Sequence, residues 1–381
     1  MATLGKPNPW SLGPILFSVF LSLCSCQKEP PAVRLGFVGG LTGRYSDLGT
    51  SGRDGVILAV EERNRTGGLG GLRIELLIRD DKQDLQEAIR VDQELIAQGV
   101  VAIIGHMTSA MSLAVLPVIN QAATVMVSPT TASPLLSGQR DFFFRVYEPV
   151  DREILNLARM VKEKLALPRL AALYDMANRA YSEDYAIRFQ RAFEDLGGKV
   201  VYLGGIPTLP RADPGEIEQH VGFLPLLGAD GVLICLNALD TIQVLRHLRR
   251  AGWEGKAVAT AWAMTKEVLE QGGQSVEGLY GVLPFLPEHP SEPYNRFKRA
   301  FQERFRREPD FPAVCGYEAA QVVFSAYERV RSGGKPLARA ILEMGRFDGL
   351  QSQIAMDEYG DPFREKFLVL VRAGRMERIE R

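Results

Sequence analysis

The chain has 381 residues, of which 46% are hydrophobic and 24% charged, and its formal net charge at pH 7 is −1. This length suits two α/β domains of ordinary size better than one. The near-zero net charge gives no electrostatic reason to expect binding to nucleic acid or to an anionic membrane surface. The four cysteines are too few for a disulfide scaffold, and Cys235 and Cys315 are expected to be buried thiols, with a bridge between them left open.

The N-terminal segment resembles a bacterial lipoprotein signal. Its apolar run, residues 15–21, is short for a bilayer span and suits the core of a signal peptide. The following Leu23-Cys24-Ser25-Cys26 resembles a lipobox, in which a small residue precedes the cysteine that receives the lipid. We therefore expect a signal peptide over residues 1–26, lipidation at Cys26 and a tether over residues 27–32. An uncleaved membrane anchor is the alternative, which the prolines of this segment disfavour.

After the tether, apolar strands alternate with amphipathic helices. Strands are predicted at residues 33–38, 72–78, 100–104 and 125–127, with helices at 51–65 and from Asp84 onward. Gly67 and Gly68 are typical residues for ending the first of these helices. Such alternation predicts parallel βαβ units in an open sheet that has helices on both faces.

The same alternation starts again at residue 170. Strands are predicted at residues 170–174, 199–203, 231–236 and 257–260, and helices at residues 181–196, 216–227 and 239–250. Two further helices, at 293–306 and 313–331, precede a final strand pair at 352–356 and 366–371. The predicted fold class is therefore α/β, with two doubly wound, Rossmann-like units in series.

Loops rich in Gly, Ser and Thr follow three strands of the first unit, at residues 41–46, 105–109 and 128–131. Ligands of open α/β sheets bind beyond the carboxyl ends of the strands. Each loop leads toward a helix N-terminus, which favours a carboxylate or another anion. The same residues could instead cap helices and shape turns. Three such loops together favour a ligand site, and its candidate residues are Thr108, Ser109, Ser128, Thr130 and Thr131.

Short motifs along the chain carry a resemblance to a known family. They are Gly39-Gly40-Leu41-Thr42-Gly43, Gly67-Gly68-Leu69-Gly70-Gly71, Asp80-Asp81, Ile104-Gly105-His106, Ser128-Pro129-Thr130-Thr131, Val276-Glu277-Gly278-Leu279-Tyr280-Gly281 and Met356-Asp357-Glu358-Tyr359-Gly360-Asp361. In this order they resemble the leucine/isoleucine/valine-type binding proteins, which are type I periplasmic binding proteins that feed ABC importers. The resemblance covers nearly all of the chain after the tether.

The resemblance implies two lobes that are joined by a hinge of three crossings. Lobe 1 would comprise residues 33–148 and 280–350, and lobe 2 would comprise residues 149–279 and 351–381. It also implies that lobe 1 holds the ligand first and that the lobes then close around it.

The resemblance further implies roles for single residues. Ser109 matches the position whose backbone and hydroxyl meet the ligand carboxylate, and Thr130 matches one whose carbonyl holds the ligand amine. Tyr45 matches an aromatic residue of the side-chain pocket. Tyr181 falls where lobe 2 often supplies an aromatic residue.

Two departures from the family pattern bear on the ligand. Ala132 stands where the pattern has a threonine, a role that Thr131 could take. Trp262 stands near the expected acidic partner of the ligand ammonium group, although it could equally be an ordinary core or cleft aromatic. A buried ammonium without a partner is costly. Unless Asp175 or Asp240 supplies the charge, the ligand is a carboxylate without an amine or a flat molecule that stacks on Trp262.

The sequence contains no G-x-S-x-G, H-E-x-x-H or Walker motif. His106 is expected to be structural, and Asp80, Asp81 and Asp84 are expected to form a strand-end turn and a helix cap, not a metal site. We therefore expect that the protein is not an enzyme and that it binds no cofactor or metal. The favoured function is the extracytoplasmic, lipid-anchored receptor of an ABC importer in a bacterial cell envelope, with a permease as its partner. A ligand sensor of the same fold and, less favoured, an α/β enzyme are the alternatives.

Overall fold

The computed structural model describes residues 31–43, 46–207, 214–334 and 336–379, together with Ala2 and Gly5. Residues 32–381 form a unit with its own core, separate from residues 1–31. The predicted signal peptide, its lipobox and Tyr45 therefore lie outside the described residues. No helix in the described ranges is both long and apolar enough to cross a membrane.

The first five strands form one parallel sheet. They are β1 (Ala32–Gly39), β2 (Arg73–Asp80), β3 (Ala102–Ile104), β4 (Val125–Ser128) and β5 (Phe143–Arg145), in the spatial order β2-β1-β3-β4-β5. The helices between them are α1 (Ser46–Arg65), α2 (Leu85–Ala97) and α3 (Ser109–Gln121). Strands β3 and β4 are buried along their whole length, as expected for apolar strands that helices cover on both faces.

The second sheet starts with five parallel strands. These are β6 (Arg169–Asp175), β7 (Lys199–Ile206), β8 (Gly231–Cys235), β9 (Lys256–Ala259) and β10 (Tyr280–Leu283). The helices of this part are α4 (Asp151–Arg159), which continues into a π-helical turn over Met160–Lys164, then α5 (Arg179–Asp195), α6 (Pro214–Val221), α7 (Ala238–Arg250) and α8 (Lys266–Gly272).

The remaining chain returns to both sheets. Helices α9 (Glu292–Phe305), α10 (Phe311–Gly333) and α11 (Leu337–Met344) follow β10, and α10 lies along α1. Strands β11 (Arg346–Asp348), β12 (Gln353–Met356) and β13 (Pro362–Phe363) form a small antiparallel sheet. Strands β14 (Phe367–Arg372) and β15 (Arg375–Arg378) then complete the second sheet, in the order β15-β14-β10-β9-β8-β6-β7.

We call the five-stranded sheet with α1–α3 and α9–α11 lobe 1, and the seven-stranded sheet with α4–α8 lobe 2. This topology agrees with the predicted pair of doubly wound units. The predicted boundary between residues 279 and 280 falls before β10, but β10 pairs with β9 and β14 in lobe 2. The chain therefore leaves lobe 2 after Leu283. The divisions at 148/149 and 350/351 remain a proposal.

Three further expectations need correction. The predicted pair of strands at 352–356 and 366–371 does not form, because β12 pairs with β11 and β13 while β14 pairs with β10 and β15. Hydrophobic alternation indicates a strand but not its partner. The helix predicted to reach residue 227 ends at Val221, before a 3-10 turn over Leu224–Leu227. Cys235 and Cys315 are buried and free, so the bridge left open by the sequence is absent.

Buried ion pairs hold the segments that cross between the lobes. Arg145, at the end of β5, donates from Nε to Oδ1 of Asp361 over 2.8 Å. Lys366 lies 2.6 Å from a carboxylate oxygen of Glu153 in α4. Arg364 pairs with Glu318 in α10, and this side-chain pair is at most 3% exposed. Because removing one partner of such a pair leaves an uncompensated buried charge, these pairs fix the path of the chain at the hinge.

Helices α1 and α10 approach each other through glycines. A Cβ atom built on Gly55 would lie 2.0 Å from the carbonyl oxygen of Ala313, and one on Gly316 would lie 2.2 Å from the carbonyl oxygen of Gly52. A larger residue at these positions forces the helices apart. This contact joins helix α10 to lobe 1.

We therefore expect Gly55→Ala to destabilise the protein by roughly 1–3 kcal/mol, the usual cost of overpacking. The matched control is Gly333→Ala, since nothing lies within 4 Å of a Cβ at that helix end. The control should be neutral or stabilising by up to about 1 kcal/mol. Urea unfolding of both variants measures the difference, and equal stabilities would refute the proposed close contact.

Candidate ligand-binding site

A cavity lies between the two lobes, beyond the carboxyl ends of strands from both sheets. It contains about 340 Å³ of space that protein atoms do not fill, part of which is open to solvent. The lining residues are Leu48, Met107, Thr108, Ser109, Thr130, Ala132, Tyr147, Asn178, Tyr181, Ala261, Trp262 and Phe311.

The first turn of α3 forms the polar wall on the lobe 1 side. Thr108 is the N-cap residue, and its Oγ1 donates to Oε1 of Gln83 (3.1 Å) instead of capping the helix. Ser109 is the first helical residue, and its hydroxyl accepts from the backbone N–H of Ser133 (3.3 Å). The N–H groups and the positive dipole end of a first helical turn favour an anion. This wall can therefore hold a carboxylate.

A buried histidine fixes the loop that precedes this helix. Nδ1 of His106 lies 2.7 Å from Oδ2 of Asp81, and Nε2 lies 3.2 Å from Oδ1 of Asp92. All three side chains are fully buried. Because both ring nitrogens face carboxylate oxygens, which only accept, both nitrogens donate and the ring is an imidazolium.

The surrounding charges determine the ionisation of this histidine. Burial alone lowers the pKa of His106, but the charges and hydrogen bonds of Asp92 and Asp81 outweigh it and raise the pKa to about 10. The expectation that His106 is structural agrees with this placement, since the ring does not line the cavity.

The carbonyl group of His106 organises the second loop of lobe 1. It accepts hydrogen bonds from Oγ of Ser128 (2.7 Å) and from Oγ1 of Thr131 (3.2 Å). Oγ of Ser112 lies 3.0 Å from the Thr131 hydroxyl. The hydroxyls of Ser128 and Thr131 are thus used behind the cavity, and neither residue lines it. Ser128 and Thr131 were predicted to contact the ligand, but the structure places them outside the described lining, and we propose that they support the binding loops.

Lobe 2 contributes an amide and two aromatic rings. Oδ1 of Asn178 accepts the backbone N–H of Ala110, in the first turn of α3, over 3.1 Å. The rings of Tyr181 and Trp262 meet edge to face, with centroids 5.9 Å apart and planes at 79°. Both rings are buried, with at most 7% of each residue exposed. Lobe 2 therefore closes the cavity with a largely apolar surface.

The structure brings together five of the residues predicted from the sequence. Thr108, Ser109, Thr130, Tyr181 and Trp262 all line the cavity. Tyr45 is outside the described residues, so its predicted contact stays a prediction. Sequence reasoning missed several lining residues, namely Leu48, Met107, Tyr147, Asn178, Ala261 and Phe311.

Two of the missed residues had a usable signal. Asn178 and Tyr147 follow the carboxyl ends of β6 and β5, where the strand-end rule places ligand contacts. Phe311 starts α10, and its ring meets that of Tyr147, a residue far from it in the sequence. No local pattern marks Phe311 as a lining residue.

The two carboxylates considered as partners for a ligand ammonium group do not line the cavity. Asp175 accepts the backbone N–H groups of Ala177 (2.7 Å) and Asn178 (3.0 Å). Asp240 accepts from the side-chain amide of Asn237. Among the residues that the structure describes, none that lines the cavity is charged. Nor does any cluster of three or more metal-ligating side chains occur in the described part of the chain.

Two doubly wound lobes with a small-molecule cavity between them define a two-lobed, cleft-type binding protein. The family described as periplasmic binding protein matches residues 32–373. The chain therefore belongs to the periplasmic binding protein family, and the predicted resemblance is confirmed. Both the family and the fold are those of substrate-binding proteins and not of enzymes.

Individual relatives span almost the whole chain. The leucine-, isoleucine-, valine-, threonine- and alanine-binding protein of Pseudomonas aeruginosa is 22% identical over 342 residues, which cover 88% of this chain and 89% of the relative. A crystal structure of a leucine-binding protein from Thermotoga maritima matches with a TM-score of 0.82 and 24% identity, over 92% of this chain and 98% of the other.

A third match differs in its ligand. The structure of a solute-binding protein from R. palustris in complex with benzoate has a TM-score of 0.81 and 18% identity, over 92% of this chain and 96% of the other. These structural similarities confirm the predicted fold class.

The buried imidazolium makes stability depend on pH. An unfolded histidine has a pKa of about 6.5, whereas the pKa of His106 in the folded protein is about 10. The stabilisation is complete below the lower value and is lost as the pH rises through the higher one. Over the pH range between these two pKa values, we expect the free energy of unfolding to fall by up to about 1.4 kcal/mol per pH unit.

Urea unfolding at several pH values checks this expectation. His106→Gln should remove most of the slope, and it should also lower stability below pH ~6.5. The control His220→Gln, on the partly exposed end of α6, should keep the slope of the unmodified protein. An unchanged slope in His106→Gln would contradict the imidazolium assignment.

Proposed function

We propose that the protein is the extracytoplasmic receptor of an ABC importer and that it binds an amino acid or a related small carboxylate between its lobes. The observation that carries this proposal is the cavity itself, which lies at the strand ends of both lobes and faces the N-terminus of α3. The named ligands of the relatives support it, since the Pseudomonas protein is named for amino acids and the R. palustris structure holds benzoate.

Contacts across the cleft support a mechanism by closure. Besides the Asn178 contact, Oγ1 of Thr265 in lobe 2 donates to Oδ2 of Asp47 in lobe 1 over 2.8 Å. The backbone N–H of Lys266 donates to Oδ2 of Asp310 over 3.5 Å. These polar contacts exist only when the lobes are together. A solute that binds the closed arrangement more tightly shifts the population toward it, and a permease can then recognise the closed form.

The contacts support a separate task for each lobe in this proposal. Lobe 1 holds the solute carboxylate at the first turn of α3, where oriented N–H groups and the Ser109 hydroxyl replace water. Lobe 2 adds Asn178 to the same helix end and covers the rest of the solute with aromatic surface. Closure excludes water from the cavity, and each polar contact there becomes stronger because the local dielectric constant falls.

Titration calorimetry with residues 32–381 tests the proposal, with a panel of amino acids and small carboxylates. We expect one class to bind without turnover and to raise the melting temperature, because it binds only the native state. Ser109→Ala should weaken binding by roughly 10- to 100-fold, the loss expected for a hydrogen bond to a charged group.

The matched control is Ser112→Ala, one turn further along α3. Its hydroxyl faces Thr131 and not the cavity, so this change should alter stability more than affinity. Conversion of a solute to a product would count against the receptor function. Equal affinities of Ser109→Ala and Ser112→Ala would count against the proposed site at α3.

We also propose that Cys26 carries a lipid that holds the receptor at the membrane. The support is the small Ser25 before Cys26, which suits a lipobox better than the bulky Leu23 before Cys24. Expression of the whole chain in a bacterial host with a labelled fatty acid tests this. Cys26→Ser should abolish labelling, and the control Cys24→Ser should keep it. Labelling that persists in Cys26→Ser would overturn the assignment.

A further inference from the structure

We infer that the solute is an aromatic monocarboxylate without an α-ammonium group, an inference that rests on the proposed function and narrows it. The described lining of the cavity offers the first turn of one helix to an anion and no carboxylate to a cation, and four of its side chains are aromatic. Each of these properties follows from contacts made by the described residues.

The charge balance of the cavity argues against an amino acid. An α-amino acid brings both a carboxylate and an ammonium group, and a desolvated ammonium needs a carboxylate close by. None of the described lining residues is acidic. The polar side chains of the described wall are all uncharged, namely Thr108, Ser109, Thr130, Tyr147, Asn178, Tyr181 and Trp262. The Asn178 carbonyl oxygen already accepts from Ala110.

Two acidic residues that directly precede lining residues in the sequence are engaged elsewhere. Asp47 precedes the lining residue Leu48, but its carboxylate accepts from Thr265 across the cleft. Asp310 precedes the lining residue Phe311, and it accepts from the hydroxyl of Ser51 and the backbone of Lys266. These carboxylates stabilise the contact between the lobes instead of facing the cavity.

One carboxylate is what the polar wall can hold. The first turn of α3 supplies oriented N–H groups, and the Ser109 hydroxyl stands beside them. The described part of the cavity has no lysine, arginine or histidine that could hold a second acid group. A dicarboxylate would therefore leave one charge without a partner.

Rings of both lobes form another part of the cavity wall. Tyr147 and Phe311 form an edge-to-face pair on the lobe 1 side, with centroids 6.4 Å apart. Tyr181 and Trp262 form another on the lobe 2 side. Rings at such angles present both faces and edges, which are the surfaces that an aromatic solute contacts best.

Calorimetry with matched pairs of solutes, on the chain without its first 31 residues, tests this inference. The first pair is 3-phenylpropanoate and L-phenylalanine, which differ only by the amine. The second pair is 4-methylpentanoate and L-leucine. Benzoate and the neutral 3-phenylpropanamide complete the panel. We expect an aromatic acid to bind at least tenfold more tightly than phenylalanine, leucine, the aliphatic acid and the amide.

Other outcomes are distinguishable. Tighter binding of either amino acid than of its amine-free partner overturns the inference but leaves the receptor function standing. Tighter binding of the aliphatic acid than of both aromatic acids overturns the aromatic part, and equal binding of the amide overturns the carboxylate part. The absence of binding by the entire panel overturns both this inference and the proposed function.

Tryptophan variants connect the binding to this cavity. Trp262→Leu should weaken aromatic-acid binding at least tenfold, while the matched Trp253→Leu should leave it unchanged, because Trp253 packs on Arg249 away from the cavity. The melting temperature without solute identifies any loss of folding. If Trp262→Leu is unfolded, Trp262→Phe replaces it and should keep the preference for acids over amino acids. Equal affinity in folded Trp262→Leu would overturn the assigned role of the ring.

Discussion

The imidazolium of His106, held between Asp81 and Asp92, is the interaction on which the site depends. Its two charged hydrogen bonds fix a fully buried ring beneath the loop after β3. The carbonyl group of the same residue receives the hydroxyls of Ser128 and Thr131, so the loop after β4 is fixed to the loop after β3. Both loops then present their neighbouring residues to the cavity in one arrangement. Further hydrogen bonds join the same two loops, from Oγ1 of Thr130 to the carbonyl of Met107 and from the N–H of Ser133 to Oγ of Ser109.

In the described part of the protein, buried charged side chains have partners within the protein itself. Arg145, Glu318 and Lys366 are paired at the hinge, and Asp47 and Asp310 accept hydrogen bonds in the contact between the lobes. As a result, the described lining of the cavity presents aromatic surface and the first turn of one helix, and it contains no charged side chain. A solute carboxylate thus meets dipoles and hydroxyls that are already oriented, and little reorganisation is needed when the lobes close.

The path of the chain determines which surfaces form the cavity. The chain returns to lobe 1 after β10, and the close glycine contact between α1 and α10 holds it there. Because Phe311 starts α10, this return places an aromatic ring at the cavity. The final crossing brings β14 back beside β10, so both lobes contain segments that are distant in sequence. Such an arrangement lets the lobes move about the crossings while each retains its own core.

The sequence by itself determined the alternation of strands and helices, the division into two doubly wound units, and the loops at the strand ends. Local periodicity and turn chemistry carry that information, and they indicated Ser109, Thr130 and Trp262 at the cavity. The tertiary structure alone decided the partners of β12 and β14 and the placement of Phe311, because pairing and lobe contacts join residues far apart in the chain. It also placed the hydroxyl of Ser128 on the carbonyl of His106 and outside the described lining of the cavity. A hydroxyl has the same local sequence pattern in either position, and only its neighbours in space distinguish them.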